Sequence, residues 1–196
     1  MSPSPAIRGF MARLILDAAR ALPADKKQRV FSLVPEPLVA LIDSTPRLGW
    51  VPLEENMKVS DALHRVLGDP GFREYFATIA DRMLAYPLLQ SFFDGAVRLF
   101  GLTPQAMLKW SGYAWEQAFR DCGKLVYHPR REATNGGVAE MVLEGFPPAL
   151  LRTGTFAESL AGTFELYLRR VSKKGRVDIR GTELDKGRVL FEISWD

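Results

Sequence analysis

The chain has 196 residues, 47% of them hydrophobic and 25% charged, with a formal net charge of +3. These are the proportions of a soluble globular protein, and a chain this long buries roughly 70% of its unfolded surface, so one domain over 1–196 is expected. The single cysteine, Cys122, excludes an internal disulfide, and Arg8, Arg13 and Asp17 interrupt the N-terminal apolar phase before it reaches signal-peptide or transmembrane length; a cytoplasmic location is the expectation.

Residues 1–122 read as helices divided by stop signals. Ile7, Phe10, Met11, Leu14, Ile15, Ala18 and Leu22 follow the helical period, and Pro23 ends that helix. Asp25 opens a short helix reaching Leu33, and Pro35 and Pro37 reset the chain before a third at 38–42. The stretch 43–52 is loop-like and holds Trp50, read as a plug over the core in preference to a ligand contact. Ser60 caps a helix stopped by Gly68, and Asp69 with Pro70 starts the next, which runs to Leu84. Tyr86 and Pro87 break it. The segment 88–100 is apolar nearly all round and is expected to be the most buried helix. Thr103 and Pro104 open the last helix of this half, carrying Met107, Leu108, Trp110, Ala114, Trp115 and Phe119 before Gly123.

Residues 123–196 change period. Extended runs at 124–128 and 138–143, a helix over 156–171 and a closing pair at 176–180 and 188–195 give β-β-α-β-β. Val189, Phe191, Ile193 and Trp195 alternate with Arg188, Leu190, Glu192 and Ser194, the pattern of a strand with one face on a core. Asp185, Lys186 and Gly187 tolerate positive φ and close the final pair as a hairpin. Thr155 with Glu158 reads as a capping box, Leu160, Phe164, Leu168 and Val171 as one apolar stripe, and Gly175 as the C-terminal stop. The tip between the first two strands is Ala133 to Gly137. The expected fold is therefore α+β: a helical N-terminal half (1–122) packed on a four-stranded antiparallel sheet with one crossing helix (123–196).

That order, with Gly187 to Trp195 as the last strand, resembles the superfamily of haem nitric-oxide-binding domains, 4-vinyl-reductase-type domains and TRAPP vesicle-tethering subunits. Through Arg47 to Leu53, Arg65 to Gly68, Arg98 to Trp110 and Trp195, the chain is also similar to an uncharacterised family known mainly from myxobacteria. The resemblance implies a hydrophobic ligand, or an acyl chain as in trafficking subunits, between helices and sheet, and assembly through helices as a homodimer. Haem-binding relatives require a proximal histidine and a Tyr-x-Ser-x-Arg motif. This chain has Tyr167-Leu168-Arg169-Arg170 and no such motif, so no cofactor, haem included, is expected.

No catalytic or metal-binding constellation emerges. His64 and His128 lack ligand-type neighbours at metal spacing, and each reads as a structural histidine. Cys122 at a helix C-terminus would have its pKa raised by the dipole, which disfavours a nucleophile. Ser111 sits in no nucleophile elbow and reads as a small packing residue; Glu54 and Glu55 read as solvated loop charge, and phosphate-binding glycine loops are absent. The basic pairs Arg130–Arg131, Arg169–Arg170 and Lys173–Lys174 read as solvated faces, which argues against a nucleic-acid partner. The aromatic density around Phe92, Phe93, Phe100, Trp110, Tyr113 and Trp115 either fills a core or lines a cavity; Phe92, Trp110, Tyr113 and Trp115 are the candidate ligand-binding residues. The function expected is a non-enzymatic sensory or adaptor domain in signalling, binding a small apolar ligand or a protein partner. The alternative is a TRAPP-like assembly scaffold with a filled core and no ligand.

Overall fold

The computed structural model of the chain describes residues 4–86, 90, 94, 95, 97, 101–133, 136–171 and 173–196, with backbone alone at 131–133. Among the described residues are six α-helices and two antiparallel sheets, one of three strands and one of four. The expected helix at 88–100 lies outside the described residues, apart from a few isolated positions.

The chain enters as strand β1 (Ala6–Arg8), not as the start of a helix. β1 is the middle of the smaller sheet, between β2 (Trp50–Pro52) and β3 (Phe119–Arg120), with Ile7 opposite both Val51 and Phe119. Strands of two or three residues carry no readable alternation, which is why helical periodicity claimed Ile7. Trp50 is held in this sheet by two guanidinium groups, Arg8 at 3.8 Å and Arg120 at 4.8 Å from its ring. Its half-buried ring thus makes two cation–π contacts, each adding about 0.5–1 kcal/mol.

Helix α1 (Gly9–Arg20) buries Phe10, Ile15 and Leu16. α2 (Ala24–Phe31) and α3 (Glu36–Ser44) follow the proline punctuation. Arg13 reaches across to the end of α3, where its Nη2 donates to the carbonyls of Asp43 (2.6 Å) and Thr45 (2.8 Å), groups that a helix terminus leaves orphaned. Helix α4 (Leu53–Leu84) begins well before Ser60, and at Gly68, whose φ of 66° and ψ of 170° are not helical, two helical segments meet across a kink, in keeping with the expected stop at Gly68 and restart at Asp69 and Pro70. Glu54 and Glu55 therefore stand in its first turn, where the helix dipole favours anions, and not in a loop. α5 (Pro104–Ala118) is capped by Thr103, whose side chain accepts from the Ala106 N–H at 3.1 Å.

The larger sheet runs β4-β5-β7-β6: β4 (Lys124–Ala133), β5 (Gly136–Glu144), β6 (Gly175–Glu183) and β7 (Arg188–Trp195), with α6 (Thr155–Arg170) between β5 and β6. This is the expected β-β-α-β-β order. Val189, Phe191, Ile193 and Trp195 are buried in strict alternation along β7, and α6 covers them, Phe164 meeting Phe191 edge-on at 5.3 Å. Gly187 closes the hairpin at φ 58°, and a Cβ there would stand 2.0 Å from the Phe146 carbonyl oxygen, so the turn needs glycine twice over. β4 and β5 pair as far as Ala133 with Gly136.

Two local expectations at α6 are corrected. No capping box forms: left-handed Gly154 precedes the helix, the Thr155 hydroxyl lies 3.1 Å from His64 Nδ1, and Glu158 is drawn to Arg73. Gly175 is not a helix stop but the first residue of β6, paired with Trp195. Buried side chains from Ile7 to Trp195 form one continuous cluster across both halves.

Candidate functional site

Where α1, α4, α5 and α6 converge beside β1, their side chains do not close completely. They leave a cavity of about 80 Å³. Helical spacing explains which face each helix gives it. Phe156, Ser159, Leu160, Thr163, Phe164 and Tyr167 line it from α6, and Ser111, Ala114, Trp115 and Ala118 from α5, each set recurring at three and four residues. On α5 all but Trp115 are small, and that is what leaves room. Leu53, Asn56, Met57 and Ser60 supply the α4 wall, and Ile7, Met11 and Ile15 the N-terminal wall.

Aromatic rings pack together beside the cavity. Trp115 stacks on Phe119 at 4.3 Å, Phe146 stacks on Phe156 at 4.2 Å, and Trp115 meets Phe156 edge-on at 5.9 Å. The Trp115 indole N–H donates to the Gly123 carbonyl at 3.1 Å, so the ring is oriented as well as packed. Three of the hydroxyls around the cavity are turned onto their own helices: Ser111 donates to Leu108 (2.5 Å), Ser159 to Phe156 (2.7 Å) and Thr163 to Ser159 (3.0 Å). Burial pushes the Tyr167 phenol well above its ordinary pKa, so it stays neutral.

Of the four candidate residues, Trp115 lines the cavity. Trp110 is buried on α5 but is not part of the lining, and Tyr113 stands on the outer side of that helix, 36% exposed. Phe92 lies outside the described residues. Asn56, Met57, Phe156, Ser159 and Thr163 were not singled out from sequence; the signal that could have found part of the site was the run of small residues Ser111, Ala114 and Ala118 on the Trp115 face.

His64, His128 and Cys122 do not line the cavity. His64 bridges α4 and α6, Nδ1 at 3.1 Å from Thr155 Oγ1 and Nε2 at 2.6 Å from Asp69, and His128 is exposed on β4. Cys122 is buried with its sulfur 3.0 Å from the Arg120 carbonyl oxygen, and burial pushes its thiol up to about 11. An open polar cleft between α4, α6 and β6 is lined by Arg73, which donates to Glu158 (2.5 Å), Glu165 (2.9 Å) and the Val177 carbonyl (3.3 Å). Those bonds, Glu158's above all, hold the guanidinium above its ordinary range, and the cluster is an ion-pair strut.

No family model matches the chain, and no curated protein matches it. Solved structures do. An iron(II), unliganded H-NOX protein of K. algicida, a point mutant, is 11% identical with a TM-score of 0.63, covering 97% of each chain. An H-NOX protein used to probe haem distortion is 12% identical at TM-score 0.63, over 97% of this chain and 94% of the other. An oxygen-binding H-NOX domain related to soluble guanylate cyclases, in its oxygen complex, is 12% identical at TM-score 0.59 with the same coverage. Nothing in these comparisons carries the 4-vinyl-reductase, TRAPP or myxobacterial parts of the resemblance.

These neighbours overturn the expectation that the chain takes no cofactor: its fold is shared with proteins described by their iron and their haem, so a missing motif is not grounds for setting haem aside. The particular attachment implied by the resemblance, a proximal histidine, does not fit the described residues. Neither His64 nor His128 lines the cavity, and the chain has no third histidine. What the comparisons establish is architectural: at 11–12% identity and TM-scores of 0.59–0.63, the chain has the H-NOX fold.

Proposed function

We propose that the chain is a non-enzymatic sensory domain that binds a small apolar molecule in the cavity between its helices. The observation that carries this reading is the 80 Å³ cavity, walled almost wholly by apolar side chains in a fold whose solved examples include an oxygen-binding domain. Its size sets the ligand class. A dry cavity of roughly 150 Å³ accepts benzene or xenon, so about half that volume suits a molecule of a few heavy atoms. Affinity is bounded as well, since even the best small ligands gain about 1.5 kcal/mol per heavy atom, which for about five atoms is micromolar at best. A ligand-free scaffold with a filled core is the reading this cavity counts against.

Xenon, followed by ¹²⁹Xe and protein methyl NMR, tests the proposal. Saturable shifts of methyls facing the cavity are expected in the wild type and not in Ala114→Leu, which fills the space. Unsaturable or dispersed shifts, equal in both proteins, would refute a ligand site. Haemin added to the same two proteins asks a separate question: a Soret band specific to the wild type would show that the cavity opens to the larger group.

A further inference from the structure

We infer that the Asn56 carboxamide is the polar anchor of the cavity ligand, which therefore carries one O–H or N–H donor on an otherwise apolar body. This rests on the reading of the cavity as a ligand site. Asn56 is 2% exposed on the α4 wall, and its side-chain oxygen is shielded from solvent with no hydrogen-bond partner among the described residues. An unmade acceptor in an apolar interior is costly, and native proteins rarely leave one without a reason.

The neighbouring groups do not relieve it. Ser111, Ser159 and Thr163, which share the lining, commit their hydroxyl protons to the carbonyls of Leu108, Phe156 and Ser159. Each points its donor along its own helix, so none of the three pairs with the oxygen of Asn56, a residue of the cavity wall. A ligand lacking a donor would bury this oxygen unsatisfied; one with a single donor would pair it and be oriented by it. Selectivity then comes from the asymmetry between made and unmade buried hydrogen bonds, which discriminates far better than apolar contact does.

Pyrrole and furan, five-membered rings of nearly equal shape of which only pyrrole has an N–H, make the test. Each is titrated into the wild-type protein and into Asn56→Leu, with binding read by methyl NMR and thermal shift. The wild type is expected to bind pyrrole at least tenfold more tightly than furan, and Asn56→Leu to lose that preference while still binding furan. Equal affinity of the wild type for both rings would overturn the anchor and leave the ligand site standing, whereas failure of either ring to bind would tell against the site itself. A crystal structure of the wild type with pyrrole gives a readout independent of the variant's folding. The ring nitrogen is expected within hydrogen-bond distance of Asn56 Oδ1; a water on that oxygen, undisturbed by pyrrole, would overturn the proposal.

Discussion

The thiol of Cys122 shows how the fold sets the chemistry of one residue. A raised pKa is what the sequence suggests from a helix dipole, but α5 ends at Ala118 and the residue follows strand β3; burial is the leading cause, lifting the thiol to about 11. At pH 8 the thiolate fraction is then lower than that of an exposed cysteine by a factor on the order of 100. Iodoacetamide should accordingly modify the native protein at least that much more slowly than the urea-unfolded chain, and comparable rates would contradict the burial. The same shift has a sign in stability. The folded pKa is the higher one, so the stabilisation is complete below about pH 9 and is lost as pH rises toward 11. A shift of about two units amounts to about 2–3 kcal/mol. Urea midpoints measured from about pH 8 to 11 should fall, and Cys122→Ala should flatten part of that fall, with buried Tyr75 and Tyr167, both raised by desolvation, adding to it at the alkaline end.

At the scale of elements, two glycines separate conformational strain from steric collision. Gly68 kinks α4 at φ 66°, but a Cβ there meets nothing within 4 Å. Gly68→Ala should therefore cost only the penalty of a backbone conformation that is essentially glycine's alone, on the order of 1–3 kcal/mol. Gly162 has ordinary helical geometry, yet a Cβ on it would lie 2.2 Å from the Arg73 carbonyl oxygen and 2.8 Å from its Cα, because α6 crosses α4 backbone to backbone there. Gly162→Ala must prise the helices apart, and a loss above about 3 kcal/mol in urea unfolding is expected; equal losses at the two sites would contradict this crossing. The difference in legibility has the same origin. Gly68 reads as punctuation because a break in helical phase is local, whereas Gly162 looks like one more small residue until a partner helix distant in sequence is in place. Likewise β7 was legible from its alternation, and Thr155 with Glu158 suggested a capping box only because their real partners, His64 and Arg73, are far away along the chain.

For the whole molecule, the question is whether the helical half and the sheet unfold as one. Two features tie them. Arg73 on α4 bonds to α6 and to β6, and the cavity draws its walls from both halves, with Leu125 of β4 and Met57 of α4 lining the same space. No described helix is long and apolar enough to cross a membrane. Trp50, Trp110, Trp115 and Trp195 spread the fluorescence signal over the small sheet, α5 and β7, while far-UV circular dichroism reports mainly the helices. Both probes should trace a single urea transition with a common midpoint, its slope toward the upper end of about 1–3 kcal/mol per molar expected of small proteins. Trp115→Ala removes an oriented ring from the junction and should destabilise the protein by about 3–5 kcal/mol, lowering the midpoint for both probes together. If fluorescence and dichroism separated in that variant, unfolding would no longer be a single step, and the cavity would have to be treated as an interface between two units able to part.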